Sequence, residues 1–517
     1  MEKTLRSSEH VKVDMDEQLK FSPRPCWTCR KNRVKCDGRL PTCFKCRMKG
    51  RECLGYSANK PLVWTGLAGR GKIAHQNFGH QKRESFTTQR EPTSPTQLIP
   101  TPRPLTDPIF QGLSPRSGQY ISYYIHRCCV DCTIYEPHAP NRFKQFLALM
   151  PGNPVLFHSI LAIAAFHQAR SASCAYDALP EPTIPEQPLL ITKINHSNDS
   201  ASPQYSDAIT HSARSISALR ESLANAADSL DALLATVFIL IWLDTVDSGT
   251  TIWKQHLEGL RGLILLQRGS RLGATDLRVK NASSSPLRAF FEETFAMLSL
   301  LGSTFDPGLP RPLDVFPQSE LDQVFVRTES HSWTGCPSNL LCILHCFLTS
   351  ALSKDRPPPR VIYESFARLQ QFDTANWAAR CPQPSLAPVR FSLGESWKGA
   401  IEIYGRRVLG VQYPDLRRVS EDLIETTLSH LRQISHHDTH FKGTVWPAFV
   451  VGAEARTAEQ REAILSIYGH LIELSHVSMF RIAIAQMRRI WARSTPYPPG
   501  SSWVHEIWER KEGLLLL

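Results

Sequence analysis

Apolar side chains across the last four hundred residues recur three and four positions apart, the spacing of one face of a helix. Val155-Leu156, Ile160, Ile163-Ala164 and His167 form one such stripe. Leu233-Leu234, Val237-Phe238 and Ile241-Trp242 form a second, and Leu257, Leu260, Ile264 and Leu265 a third. Leu340-Leu341, Leu344 and Leu348 predict another helix, as do Ile401, Tyr404, Val408 and Leu409. Ile464, Ile467 and Leu471, then Ile482, Met487, Ile490 and Trp491, predict two closing helices. No run of strand-like alternation interrupts them. The pattern therefore predicts an all-helical domain over 119–517, with a polar, proline-rich and disordered insert near 180–203. The longest apolar run, Ala232 to Leu243, has 12 residues, short of the ~18 that a membrane span needs. No membrane partner is expected.

The first hundred residues follow another pattern. Met1 to Lys20 is polar and charged throughout, with no secretory signal, and predicts a disordered N-terminus. Gln81 to Gly118 is rich in Pro, Ser and Thr, with seven prolines, and reads as a disordered linker. No sustained heptad lies between Leu54 and Gly118, so a homodimer stays open but without a coiled coil to build it. The predicted boundaries are 1–20 for the tail, 21–56 for a cysteine-rich module, 57–118 for a basic extension and linker, and 119–517 for the helical domain.

Charge sharpens this division. The chain of 517 residues carries a formal +11. Residues 1–90 hold 20 Lys/Arg against 8 Asp/Glu, whereas the remainder holds 39 against 40. The whole positive excess sits at one end, which is the footprint of a polyanion partner on an otherwise neutral protein.

Six of the 14 cysteines share that basic end: Cys26, Cys29, Cys36, Cys43, Cys46 and Cys53. The spacing C-x2-C-x6-C occurs twice, 17 residues apart. Without an export signal, paired cysteines are better read as metal ligands than as disulfides. A C-x2-C pair chelates through a tight turn, and a short helix brings back a third thiolate. Zinc takes four ligands in a tetrahedron. Two zinc ions need eight contacts, so two of six cysteines must bridge, one from each repeat. Cys29 and Cys46 are expected to start helices, where the helix dipole favours a thiolate. Gly38 and Pro41 suit the loop between the halves. Between Arg24 and Cys53 ten Lys/Arg face two Asp/Glu, so the module loaded with two Zn2+ stays strongly positive.

This segment resembles the fungal Zn2Cys6 binuclear cluster, matching all six ligand positions and the loop proline Pro41. The resemblance implies that Cys26 and Cys43 are the bridging ligands. It also implies double-stranded DNA as partner, with a helix in the major groove reading a CGG-like half-site. Arg30, Lys31, Asn32, Arg33 and Lys35 are placed on the first short helix, and Lys45 in the second half. By position in the family, Asn32 and Arg33 face base edges, where many relatives carry Lys at both. Arg33 can pair bidentately with guanine; Arg30, Lys31, Lys35 and Lys45 are phosphate contacts that position the module.

The helical region resembles the fungal-specific transcription factor domain of the second type. The points of likeness are Arg142-Phe143, Met150-Pro151, Leu161 to Ala165, Trp253, His256-Leu257, Trp397, Ala400, Tyr404, Trp446-Pro447, Gly452 to Glu454, Arg461, Trp491 and Trp503. Together the two resemblances imply a small Zn2Cys6 module joined by a disordered linker to a large all-α regulatory domain. They imply a nuclear, zinc-dependent regulator of RNA polymerase II transcription, contacting the transcription machinery or co-regulators.

Other constellations are weaker. Gly66-Leu-Ala-Gly69-Arg-Gly71-Lys72-Ile73 approaches a phosphate-binding loop but ends on Ile73, which has no hydroxyl for Mg2+. His436-His437-Asp438-Thr439-His440 imitates a metal site but reads as a solvated loop. Cys128, Cys129 and Cys132, and Cys342 with Cys346, lack full ligand sets and read as buried thiols. With no G-x-S-x-G elbow and no H-E-x-x-H helix, no catalytic residue is assigned. The rival reading is an all-helical enzyme or ligand-binding scaffold with an appended zinc module.

Overall fold

The computed structural model describes residues 21–57, 110, 112–132, 134, 141–173, 202–225, 229–247, 251–272, 286–331, 334–381, 383–495, 497–498, 500–511 and 513–516. The N-terminal tail, the phosphate-loop look-alike, most of the linker and nearly all of the 180–203 insert lie outside them. The chain forms two compact units, divided between Thr101 and Pro102.

The first unit holds two five-residue helices, α1 (Trp27–Lys31) and α2 (Phe44–Met48). A single antiparallel bridge joins Phe21 to Arg39.

The second unit is helical throughout its described residues. It opens with α3 (Pro115–Tyr123), which passes through a π-helical turn into α4 (Cys129–Asp131). Next come α5 (Arg142–Leu149), α6 (Pro154–Ser173), α7 (Pro203–Asn225), α8 (Leu230–Asp247) and α9 (Trp253–Leu272). The middle comprises α10 (Pro286–Ser303), α11 (Gln318–His331), α12 (Ser338–Leu352), α13 (Pro359–Gln371) and α14 (Thr374–Ala379). The end comprises α15 (Ala387–Leu409), α16 (Glu421–Gln433), α17 (Val445–Glu454), α18 (Ala458–Ser475), α19 (Met479–Trp491) and α20 (Trp503–Arg510).

One continuous hydrophobic core runs through this unit. Its hub is α15, which packs against α12, α14, α16 and α17. Trp397 on α15 stacks on Trp446 of α17, with ring centroids 5.1 Å apart and planes within 2°. The indole and phenol groups of these large side chains need partners once buried, and Thr304 supplies several. Its carbonyl accepts from Tyr404 Oη and Trp508 Nε1, each at 2.9 Å, and its hydroxyl oxygen accepts from Trp446 Nε1 at 3.1 Å. The Arg407 guanidinium grips the buried Glu454 carboxylate, which also accepts from Trp503 Nε1 at 2.7 Å. Trp491 Nε1 donates to Gly452 O at 2.8 Å. The conspicuous residues of the resemblance thus hold the fold together.

Several details differ from the sequence reading. The helical unit opens at Pro115, capped by Ser114 Oγ, inside the stretch read as linker. A third closing helix, α20, follows the two that the stripes predicted. His440 is fully buried and bonds Asp438 Oδ1 at 2.7 Å, and His436 stacks on His470, so the His440 end of this segment departs from a solvated loop while His437 and Thr439 are exposed. Cys128 and Cys129 are buried thiols, whereas Cys342 and Cys346 are half-buried and face Asp322 and Ser365.

Candidate metal centre and nucleic-acid interface

The two cysteine repeats fold alike, residue for residue. Cys26 is extended and caps α1, its Sγ accepting from Cys29 N at 3.3 Å. Cys43 caps α2 in the same way, accepting from Cys46 N at 3.2 Å. The helices therefore start one residue after the first cysteine of each pair, not at Cys29 and Cys46 as the sequence suggested. Each helix stops after five residues in a left-handed turn, at Arg33 (φ 52°) and at Gly50 (φ 58°). Beyond it Val34 N bonds Cys29 O at 3.0 Å, matched by Arg51 N to Cys46 O at 2.9 Å. Gly38 and Gly55 are left-handed as well, at 73° and 74°. At Gly38 a Cβ would stand 2.8 Å from Ser22 O, so only glycine fits this turn.

The halves are fastened to each other. Thr28 Oγ1 donates to Glu52 O at 2.8 Å and accepts from Leu54 N at 2.9 Å. Asp37 accepts from Phe44 N at 2.9 Å and Lys45 N at 3.1 Å, at the start of α2. Those bonds hold its carboxyl below the usual range. Tyr56 Oη donates to Arg39 O at 2.7 Å. Sequence reasoning gave none of Thr28, Asp37 and Tyr56 a role in joining the halves. Each acts on a partner 7 to 26 residues away, and no local periodicity marks such a link.

Cys26, Cys29, Cys43 and Cys46 are buried, with all four Sγ atoms within 4.8 Å of one another. Cys26 Sγ lies 3.6 Å from Cys43 Sγ and 3.8 Å from Cys46 Sγ; Cys29 Sγ lies 3.7 Å from Cys43 Sγ. A disulfide needs about 2.05 Å, so these are separate thiols. Zinc–sulfur bonds of ~2.3 Å in a tetrahedron put neighbouring sulfurs about 3.8 Å apart. Four sulfur contacts of the quartet, 3.6 to 3.9 Å, have that spacing, so thiolate donors packed this closely fit zinc, with Cys36 and Cys53 beside them as further donors for a second ion. Cys36 and Cys53 are half-buried and pack against the quartet. Burial pushes the Cys26, Cys29 and Cys43 thiols up. It also raises Cys36, but amide donors Cys26 N and Gly38 N outweigh it and bring that thiol to about 7. Amides of Cys43 and Gly55 likewise lower Cys53. A buried group of such thiols becomes a set of thiolates only with a cation among them.

A model of the fungal Zn(2)-Cys(6) binuclear cluster domain matches residues 24–61, and one of the fungal specific transcription factor domain matches residues 119–517. The chain belongs to the fungal transcription factor family. Its amino-terminal module is a binuclear cluster that binds two zinc ions, and the family is one of transcription factors rather than enzymes. Among curated relatives, the acriflavine sensitivity control protein acr-2 of Neurospora crassa is 23% identical over 85% of this chain and 86% of its own length. The phomenoic acid biosynthesis cluster-specific transcriptional regulator of Leptosphaeria maculans is 23% identical over 54% of this chain and 47% of its own. White-opaque regulator 2 of Candida albicans is 61% identical, over 6% of this chain and 7% of its own. No solved structure matches.

Five of the six candidate DNA-facing residues occupy one short stretch, 30–35, and the sixth, Lys45, lies in the second repeat. Arg30 and Lys31 lie on the last turn of α1, and Lys45 lies on α2. Asn32 is the C-cap, Arg33 the left-handed residue after it, and Lys35 lies in the non-helical stretch that follows, so α1 does not carry all five. All six are exposed, and none forms an ion pair among the described residues. The Arg30 guanidinium rests 4.9 Å from the Trp27 ring centroid. Asn32 Nδ2 donates to Thr28 O at 2.8 Å, so one amide hydrogen is spent on closing its own helix.

Proposed function

We propose that the chain is a nuclear, sequence-specific regulator of RNA polymerase II transcription whose cluster reads a CGG-like half-site in the major groove of double-stranded DNA. Cys26 and Cys43 bridge the two zinc ions; Cys29 and Cys36 complete one site, Cys46 and Cys53 the other. What supports the bridge is that the Cys26 and Cys43 sulfurs lie 3.6 Å apart, with Cys36 and Cys53 packed against the buried quartet. The observation that carries DNA reading is the exposed run Arg30 to Lys35, fixed beside the metal ligands and neutralised by no carboxylate among the described residues. Arg33 reads guanine, and Asn32 offers its carbonyl and remaining amide hydrogen. Arg30, Lys31, Lys35 and Lys45 meet phosphate. The helical unit contacts co-regulators or the transcription machinery.

Selection of duplexes from a random pool with the zinc-loaded full-length protein tests this. A recurring CGG-like triplet is expected, with two zinc ions per chain. Lys31→Ala should weaken binding to every sequence and flatten the salt dependence by about one unit of slope. Absence of any enriched sequence, or one zinc per chain, would overturn the reading.

A further inference from the structure

The helical unit holds a partly open cavity of about 110 Å³. Its walls are apolar and largely aromatic: Phe143, Phe238, Trp242, Leu471, Phe480 and Leu515. An apolar cavity of ~150 Å³ holds one benzene ring, so this one takes a single small ring or a short branched chain.

One end is polar. His167 on α6 is 1% exposed, and its Nε2 stands 3.4 Å from Asp131 Oδ2 on α4. Neither of these two atoms has a hydrogen bond of sound geometry. His167 Nδ1 is already engaged with Tyr123 Oη at 3.0 Å. The other hydroxyls of the lining are committed to helix carbonyls, Thr245 to Trp242 O and Ser475 to Leu471 O. The polar end of this cavity is therefore an ion pair, Asp131 with His167 and with Arg127 at 3.9 Å from the same Oδ2, that lacks a well-formed hydrogen bond at Oδ2 and Nε2.

Charge decides the class of occupant. Burial raises the Asp131 carboxyl, but His167, Lys442 and Arg127 outweigh it and hold it below the usual range. The carboxylate is thus ionised, and Lys442 Nζ lies 3.8 Å from its Oδ1. An anionic ligand would meet the carboxylate, and a cationic one would meet the ammonium. We propose that this cavity binds a small uncharged molecule with an apolar body of about one ring and one hydroxyl or N–H donor directed at Asp131. The site lies wholly within the helical unit, so the inference goes beyond DNA reading and stands or falls separately from it.

The test uses the zinc-loaded full-length protein with four probes: phenol, toluene, benzoate and benzylammonium. Each is added at about 5 mM, since ligands of so few atoms bind in the millimolar range at best. Thermal unfolding and ligand-detected NMR are read together. Phenol should raise the helical transition and show saturation transfer, toluene should respond at least threefold more weakly, and the two ions not at all. Leu474→Trp, which fills the cavity, should abolish the phenol response while unfolding stays cooperative. Asp131→Asn should erase the preference of phenol over toluene, a readout that survives if the tryptophan variant fails to fold. Equal responses to all four probes, no response to any, or a phenol preference unchanged in Asp131→Asn would overturn the proposal.

Discussion

Arg33 and Gly50 occupy equivalent places in the two cysteine repeats, and both hold a left-handed backbone. For glycine that conformation is free; for arginine it costs about 1–2 kcal/mol. The Arg33 side chain is exposed and makes no ion pair among the described residues; what accompanies the turn is backbone bonding, Val34 N to Cys29 O at 3.0 Å. The strain does have a geometric result: it ends α1 after Lys31. Strain and contact can be separated by one substitution. Arg33→Gly should leave zinc stoichiometry intact and stabilise the module by about 1 kcal/mol. It should also abolish discrimination between the selected site and a scrambled one, as read by competition binding. Retained discrimination would remove Arg33 from base reading.

Element packing turns on close approach to α15. A Cβ at Gly405 would stand 2.5 Å from the ring of Phe347 on α12, which itself lies against Phe366 on α13 with centroids 4.5 Å apart. At Gly399 it would meet Thr427 Oγ1, already bonded to Leu423 O on α16. Alanine is the better helix former by ~1 kcal/mol, but overpacking a tight interface costs about 1–3 kcal/mol. Gly405→Ala should therefore destabilise the helical unit in urea unfolding. Gly469 on α18 has nothing within 4 Å of its missing Cβ, so Gly469→Ala should stabilise by about 0.5–1 kcal/mol. Shifts of the same sign at both positions would mean that helix propensity, not packing, governs these sites. The same physics explains which elements could be read from sequence. Helices with one dry face, such as α18 and α19, left stripes at Ile464 and Met487. In α17 every residue from Val445 to Glu454 is buried, so no polar face sets off an apolar one. The cysteine helices were legible as spacing but not as boundaries. Their start is set by a thiol cap, Cys26 or Cys43, and their length by the return to the cluster rather than by side-chain periodicity.

The two units of the molecule are held by different forces. In residues 21–57 the buried side chains are four thiols and Thr28, with no buried aliphatic or aromatic residue. Domains below about 40 residues usually need metal or disulfide to fold, and here metal is the available means. The helical unit instead closes a continuous core from Tyr120 to Leu516 and has no candidate metal-ligand cluster among its described residues. A strong chelator should thus separate them. Amide protection at Cys29, Cys46, Val34 and Arg51 is expected to vanish in hydrogen exchange, because the capping and turn bonds there depend on sulfurs held in place. The thermal transition of the helical unit should stay where it was. Two equivalents of zinc should restore protection, and less readily as pH falls, since each ligand must give up its proton to bind. Loss of the helical transition on chelation would show that the two units stand or fall together. Protection surviving in the cysteine module without metal would show that its hydrogen bonds, from Thr28 and Asp37 across the halves, are enough to hold it.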